Sequence, residues 1–345
     1  MAARPKRINL ALQGGGAHGA FTWGVLDVLL DCEDLEIAAI SGTSAGALNG
    51  SAVKAGLSVG SRQAAKDNLA WVWDQIGAID SEILTPWLEA VTPMAISRAL
   101  EASLPFAIGD TLSRMSSPYA SGPFYSNPLE RIAGKLHYED ICCIDRGPAF
   151  FICATNVRTG KIRVFTGDEI GPDPVMASAC LPTLFRAVEI PDKDGTVQAY
   201  WDGGYTGNPA LFPMFDADLP SDILVVNINP LYREDVPKSA REIQNRINEI
   251  SFNSSLLREL RAIDFVQRLL EDGTLQSNSM KRVLIHMVAD DDLMRQLSVA
   301  TKLIATPQTL HQLRKAGQSV AEAFIRDHFD SIGHESSVNL RAMFE

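Results

Sequence analysis

Two glycine-marked turns near the N-terminus constrain this chain more than any other feature. They read Gln13-Gly14-Gly15-Gly16-Ala17-His18-Gly19 and Gly42-Thr43-Ser44-Ala45-Gly46. Each follows a short apolar run that predicts a buried strand, Ile8 to Leu12 and Ile37 to Ile40, and each precedes a helical pattern, Ala20 to Leu30 and Ala45 to Ala55. Strand, turn and helix repeated in this way predict a parallel α/β sheet with ligands bound at the carboxyl ends of its strands. The second turn fits G-x-S-x-G, a sharp strand-to-helix turn that exposes a serine oxygen. Gly42 and Gly46 remove Cβ atoms where the backbone turns tightly and helix meets strand. Ser44 then stands at a helix N-terminus, whose free N–H groups favour a developing alkoxide. The first turn offers further N–H groups that can converge on an oxyanion.

Gly14-x-Gly16-x-x-Gly19 also satisfies the dinucleotide fingerprint G-x-G-x-x-G. That reading needs an acidic residue at the end of the second strand for the ribose. Glu36 falls at the beginning of that strand, and Ser41-Gly42-Thr43-Ser44 stands at its end. A dinucleotide-binding oxidoreductase is disfavoured on that ground.

Composition narrows the setting. The chain has 345 residues, 46% hydrophobic and 21% charged, as in a globular protein with a large core. No apolar run reaches the roughly 18 residues of a spanning helix. The basic start is followed by too short an apolar run for a signal peptide, so a cytoplasmic location is expected. The five cysteines, at 32, 142, 143, 153 and 180, show no C-x-x-C spacing, so neither a disulfide framework nor a zinc site is predicted. Cys142 and Cys143 read as buried small residues. The net charge of −11 argues against nucleic acid and against strong adsorption to an anionic bilayer. Uncharged or weakly held apolar substrates stay open.

Further along, Ala64 to Ile76 reads as a helix. Residues 77–128 are broken by six prolines and carry Trp87, which predicts either a helical cap over the site or an inserted helical layer. Phe150 to Thr155 and Ile162 to Phe165 predict a strand pair about the turn Arg158-Thr159-Gly160-Lys161. Pro174 to Cys180 reads as a short helix of small residues. Ala187–Ile190 and Gln198–Trp201 flank another turn, and Asp202-Gly203-Gly204 follows the second of these runs. Ile223 to Ile228 and Val283 to Val288 are further apolar strands. A long helix with an apolar face is predicted through Ile243, Ile247, Ile250, Leu257, Leu260 and Leu270.

A serine nucleophile needs a base. His286, His311, His328 and His334 follow Ser44, yet none sits in a glycine-marked turn at a strand end, whereas Asp202 does. His311, His328 and His334 read as solvated.

Together these residues resemble the patatin-like phospholipase family. The resemblance rests on Gly14-Gly15-Gly16-Ala17-His18-Gly19, Gly42-Thr43-Ser44-Ala45-Gly46, Ala177-Ser178-Ala179-Cys180-Leu181-Pro182, and Asp202-Gly203-Gly204 with Asn208-Pro209 after it. They occur in the family's order over roughly residues 8–230, and the tail looks like the bacterial intracellular branch. The resemblance implies a Ser–Asp dyad without histidine, in which Ser44 attacks an ester carbonyl and Asp202 takes its proton. It implies an oxyanion hole of backbone N–H groups at Gly14, Gly15, Gly16 and Ala45, supported by Gly19, Gly42, Gly46, Gly203 and Gly204. Lipid acyl hydrolysis with no metal and no cofactor follows from it, with a lipid or acyl-ester substrate and a transient membrane-surface contact. Two positions depart from the pattern. His18 stands where many members carry Arg or Lys, which puts a fixed cation near the site in doubt. His18 itself reads as a helix-start residue hydrogen-bonded locally. Gln13 stands where plant members have Asp.

The expected fold is α/β, one patatin-like domain over 1–345, with a largely parallel sheet, helices on both faces and the cap near 77–128. The motifs lie in a core of 6–230, and a helical part, 235–345, adds one strand near 282–288. The expected activity is that of a serine lipid acyl hydrolase of phospholipase A or lysophospholipase type. An intracellular polyhydroxyalkanoate depolymerase, an acyl thioesterase or a lipid-binding module without turnover are the rivals.

Overall fold

The computed structural model describes residues 4–81, 117–143, 145–276, 279–297 and 299–345. Most of the expected cap, Trp87 included, lies outside the described residues. Residues 77–81, expected to open that cap, belong instead to the end of a helix that began at Arg62.

Strand β1 (Lys6–Leu12) shows why the sheet is covered on both sides. Ile8, Leu10 and Leu12 belong to one apolar core, while Ala11 belongs to another. Side chains alternate across a strand, so a strand apolar at successive positions must be buried on both faces. After β1 come α1 (Gly19–Asp31), β2 (Leu35–Gly42), α2 (Ala45–Ser58) and α3 (Arg62–Ser81). Then follow β3 (Ala149–Asn156), β4 (Ile162–Thr166), the short α4 (Pro172–Ser178), β5 (Val188–Pro191), β6 (Val197–Asp202) and β7 (Asp222–Asn227). The chain ends with the long α5 (Ala240–Glu271), β8 (Leu284–Ala289) and α6 (Pro307–His328), among shorter helices.

These strands form one eight-stranded sheet in the order β5-β6-β3-β2-β1-β7-β8, with β4 on β3. The run β3-β2-β1-β7-β8 is parallel, β4 and β6 run antiparallel to it on β3, and β5 pairs antiparallel with β6. Helices α1, α2, α3 and α6 supply side chains to the core on the Leu10 side, and α5 supplies Leu256, Leu260 and Ile263 to the other. The α/β fold with helices on both faces is as expected. Strand β8 pairs with β7 from Asp222↔Leu284 to Asn227↔Ala289, so the C-terminal part completes the sheet.

The register of β3 brings distant segments together. Gly42, the last residue of β2, pairs with Ile152, and Asp202, the last residue of β6, pairs with Ala154. Strand β4 holds the other edge of β3 through both positions, pairing Ile152↔Phe165 and Ala154↔Arg163. Strand β6 therefore takes the edge that β2 vacates. The ends of β2 and β6 meet end to end, about two residues or ~7 Å apart along the strand direction.

Two expectations are corrected. Ile243, Ile247 and Ile250 of α5 are exposed, while Glu249 and Asn253 are buried. The early turns of α5 turn their polar side inward because an ion cluster waits there, described below. Cys142 and Cys143 are only half-buried. Among the described residues no helix is long and apolar enough to cross a membrane.

Candidate active site

Ser44 is the one non-glycine residue with positive φ among those described, at φ 54 and ψ −121. An L-residue held there is strained by about 1–3 kcal/mol, so its surroundings must impose the conformation. They are identifiable. The Ser44 N–H donates to Ser178 Oγ at 2.9 Å, and the Gly46 and Ala47 N–H groups close the first turn of α2 onto Thr43 and Ser44 carbonyls at 2.8 and 2.9 Å. The Thr43 hydroxyl donates to the Gly207 carbonyl at 2.6 Å. Gly14 packs against the same turn, where a Cβ would lie 2.7 Å from Ser44 Cβ and 2.8 Å from the Thr43 carbonyl oxygen. Any side chain at position 14 would push the two turns apart.

Asp202 ends β6 and is 1% exposed. Its N–H donates to the Cys180 carbonyl at 2.8 Å, and its own carbonyl accepts from the Thr155 hydroxyl at 2.8 Å. Its Oδ1 accepts from the Gly204 N–H at 2.7 Å, and Oδ2 makes no hydrogen bond among the described residues. Burial pushes its carboxyl up to about 7, against smaller lowering by the Gly204 N–H and by the Ser44 hydroxyl. The Ser44 hydroxyl is thus within reach of the carboxylate, although no completed hydrogen bond joins it to Oδ2 among the described residues, as is common before substrate binds. Tyr205 and Phe252, edge to face at 5.2 Å, line the cavity that Asp202 also lines.

That cavity, about 800 Å³, is also lined by Gly15, Gly16, Ala17, Ser44 and Ala45. No acceptor among the described residues takes the N–H of Gly15, Gly16 or Ala45. Three unpaired donors and a serine at one cavity can bind a tetrahedral oxyanion. Gly14 is a correction. Its N–H donates to Asn208 Oδ1 at 2.7 Å and is not free for an oxyanion. Gly14 serves by close approach instead. Gly42 packs on the Gly46 carbonyl, Gly46 on the Leu12 carbonyl, Gly19 on Ala45, Gly203 on the Cys153 carbonyl and Gly204 on Asp202 and Phe252.

A buried amide network fixes the first turn. Gln13 Oε1 accepts from the N–H groups of Ile228 and Asn229 at 2.9 and 3.1 Å. Its Nε2 donates to Asn253 Oδ1 at 3.2 Å. Asn229 Nδ2 donates to the Gly14 carbonyl at 2.8 Å. His18 is 1% exposed, and its Nε2 bonds the Thr301 hydroxyl at 2.9 Å, so its partner is far along the chain and not local as expected. Burial, then Lys302 and Arg233, lowers its pKa well below the ordinary value, so His18 is neutral.

The histidines are elsewhere. His137, His311, His328 and His334 are exposed. His286 lies on β8, three strands from β2 and so ~14 Å to the side, at the level of Leu224 and Leu10, short of the strand ends. Residues that patterns in the chain do not disclose are Asn229, Asn253, Glu249 and Lys302. Ser178 was marked only by its Ala-Ser-Ala setting.

A family model described as patatin-like phospholipase matches residues 10–215. No curated protein matches the sequence at a significant level. Among solved structures, VipD from Legionella pneumophila is 15% identical, over 94% of this chain and 68% of that one, with a TM-score of 0.43. Two structures of ExoU with SpcU from Pseudomonas aeruginosa are 16% and 18% identical, over 93% and 95% of this chain, with TM-scores of 0.30 and 0.29. The chain spans 53% and 61% of the length of those two. At such identities and scores these likenesses carry no functional argument. The family model covers more than half of the sequence, from the first glycine turn to beyond Asp202. The chain belongs to the patatin-like phospholipase family, a family of lipid acyl hydrolases.

Proposed function

We propose that this protein hydrolyses carboxylic esters of lipids, as a phospholipase A or lysophospholipase, through an acyl-serine intermediate on Ser44. The observation that carries the reading is the strained Ser44 beside a buried carboxylate raised to about 7, in a cavity with three unpaired N–H donors. A carboxylate at its ordinary pKa is a poor base for a serine hydroxyl. Burial makes Asp202 a better one.

Asp202 Oδ2 takes the hydroxyl proton as Ser44 Oγ attacks the ester carbonyl. Negative charge then develops on the carbonyl oxygen, where the N–H groups of Gly15, Gly16 and Ala45 stabilise it. Collapse expels the alcohol, which receives the proton from Asp202. Water, deprotonated by Asp202, then attacks the acyl carbonyl, and collapse of the adduct releases the fatty acid as Asp202 returns the proton to Ser44 Oγ. Because Gly204 holds Oδ1, the other oxygen is left to work on the serine. The whole chain acts as one domain in this reading, since residues beyond 215 complete the sheet and the cavity wall. The apolar substrate enters from a lipid surface touched transiently.

The test is the purified protein against phospholipids, monoacylglycerols, acyl-CoA and short polyhydroxyalkanoates, with Ser44→Ala as control. Serine-dependent release of fatty acid from the lipids is expected. Turnover confined to the thioester or the polyester would replace this reading with one of its rivals.

A further inference from the structure

The cavity has one wall that acyl transfer leaves unused. Leu48, Trp73, Ile76, Leu181 and Phe185 give its lining apolar surface, while Asn229, Asn245, Glu249 and Lys302, joined to one another by hydrogen bonds and charge, make a polar wall. Lys302 is the only cation among the described lining residues. It sits on the short helix Val299–Leu303, whose backbone is pressed against the first glycine turn. A Cβ at Gly16, at φ 59, would collide with the Lys302 carbonyl oxygen.

A structural ion pair does not account for this lysine. Glu249, 1% exposed, is already held by Arg233 through two nitrogens at 2.8 and 2.7 Å, by Arg246 at 3.3 Å and by Asn245 at 3.3 Å. Lys302 Nζ stands farther off, 4.0 Å from it. Its hydrogen bond goes to Asn229 Oδ1 at 3.2 Å. An ammonium has three donors, so two are unspent among the described residues, on a side chain 18% exposed. Three cations share one carboxylate here, in a chain of net charge −11. A partly buried cation so weakly paired is costly unless something anionic completes it. The contact of its backbone with Gly16 places Lys302 beside the oxyanion donors.

We infer that Lys302 determines specificity by receiving an anionic phosphate carried on the alcohol part of the ester. The inference rests on the acyl-hydrolase reading. The acyl chain takes the apolar wall, the carbonyl meets Ser44, and the alcohol part is left facing Lys302 and its amide neighbours. Two ammonium donors suit phosphate oxygens through charge-assisted hydrogen bonds.

The experiment compares two substrates with one acyl chain, a lysophosphatidate and the matching monoacylglycerol, by kcat/KM. The wild-type protein should prefer the phosphorylated ester by about tenfold or more, the size of one charge-assisted contact. Lys302→Gln should cut that ratio about tenfold, and Lys302→Arg should keep most of it. The ratio is independent of how much of a variant folds. Equal rates on the two esters in the wild type, or an unchanged ratio in Lys302→Gln, overturns the inference. Inorganic phosphate should also compete with the monoacylglycerol. Competition without preference for the phosphorylated ester would assign the subsite to free phosphate and overturn the substrate inference. If Ser44→Ala still cleaved both esters, the hydrolase reading itself would be at fault, an outcome distinct from these.

Discussion

The two ends of the sheet each carry a serine and an aspartate, and the end with the more complete constellation is the less suited to catalysis. At the far end, Ser337 Oγ lies 3.2 Å from His286 Nδ1, and His286 Nε2 lies 3.0 Å from Asp222 Oδ1. Serine, histidine and aspartate are there in hydrogen-bonded order. At the near end Ser44 and Asp202 have no histidine between them. Yet none of the far three lines the cavity that holds Ser44, and Ser337 has no positive φ. Asp222 Oδ1 is also held by the Gly333 N–H at 2.8 Å, which marks a tie fastening the C-terminal segment to the start of β7. What separates a centre from a tie is the strained backbone, the cavity and the unpaired N–H donors. The triad's order of residues is secondary to these.

The largest expected effect tests that comparison directly. A fluorophosphonate probe should label Ser44 and leave Ser337 untouched. Ser44→Ala should lower esterase kcat/KM by about 10³-fold or more, and Ser337→Ala should leave labelling intact. Labelling at Ser337 would exchange the roles of the two ends.

The base comes next. Asp202→Asn keeps the bond from Gly204 and removes the proton acceptor, so turnover should fall by at least about 10²-fold. In the wild type, kcat/KM should rise through about pH 7 as Asp202 loses its proton. Stability should move the opposite way. With its pKa raised in the folded state, Asp202 contributes fully below its unfolded value, and that contribution is lost as pH rises through about 4 to 7. Asp202→Asn should therefore match the wild type near pH 4 and exceed it at pH 8, by at most about 4 kcal/mol. Denaturant unfolding at both pH values measures this, and equal stability at pH 8 would show that Asp202 is not buried as a charge.

Much of this near end was legible in the sequence, for a steric reason. Gly14, Gly42 and Gly46 are required where backbones come within contact of one another, and such positions leave a readable pattern. Apolar runs on β1, β2, β7 and β8 were legible because both sides are buried. The meeting of β6 with β2 was not, since it depends on antiparallel pairing with β3 across residues far apart in the chain. Nor was the spent N–H of Gly14, because its acceptor Asn208 lies 194 residues away. The early isoleucines of α5 misled for a related reason. Their helix turns Glu249 inward to meet Arg233, and hydrophobic periodicity carries no information about that partner.

A smaller effect is expected one contact away from the nucleophile. Ser178→Ala removes the acceptor for the Ser44 N–H and leaves a buried donor unpaired, at a cost of about 1–3 kcal/mol. Part of that should appear as a kcat about tenfold lower, with probe labelling slowed in parallel, and Ser178→Thr should recover part of both. Lost stability with an unchanged labelling rate would limit Ser178 to packing.

The smallest effect on turnover is expected at His286, and it bears hardest on the comparison. His286 is fully buried, edge to face with Phe324 at 5.9 Å, and it joins Asp222 of β7 to Ser337 near the C-terminus. His286→Gln can keep at most part of this geometry and should lower stability by about 1–3 kcal/mol through buried groups left unpaired. Amide exchange should quicken at Gly333 and across the segment that Ser337 fastens, because their anchor is loosened. The centre at Ser44 shares no hydrogen bond with this tie, and distant sites with no shared partners act independently. Turnover by the folded fraction should therefore stay within about threefold of the wild type, since less than 1 kcal/mol of coupling is expected. Replacing His137, His311, His328 or His334 with Gln should do no more, as each is exposed. If His286→Gln stopped turnover in a protein that still folds, while Asp202→Asn did not, the far constellation would be the catalytic one and the cavity at Ser44 would need another explanation.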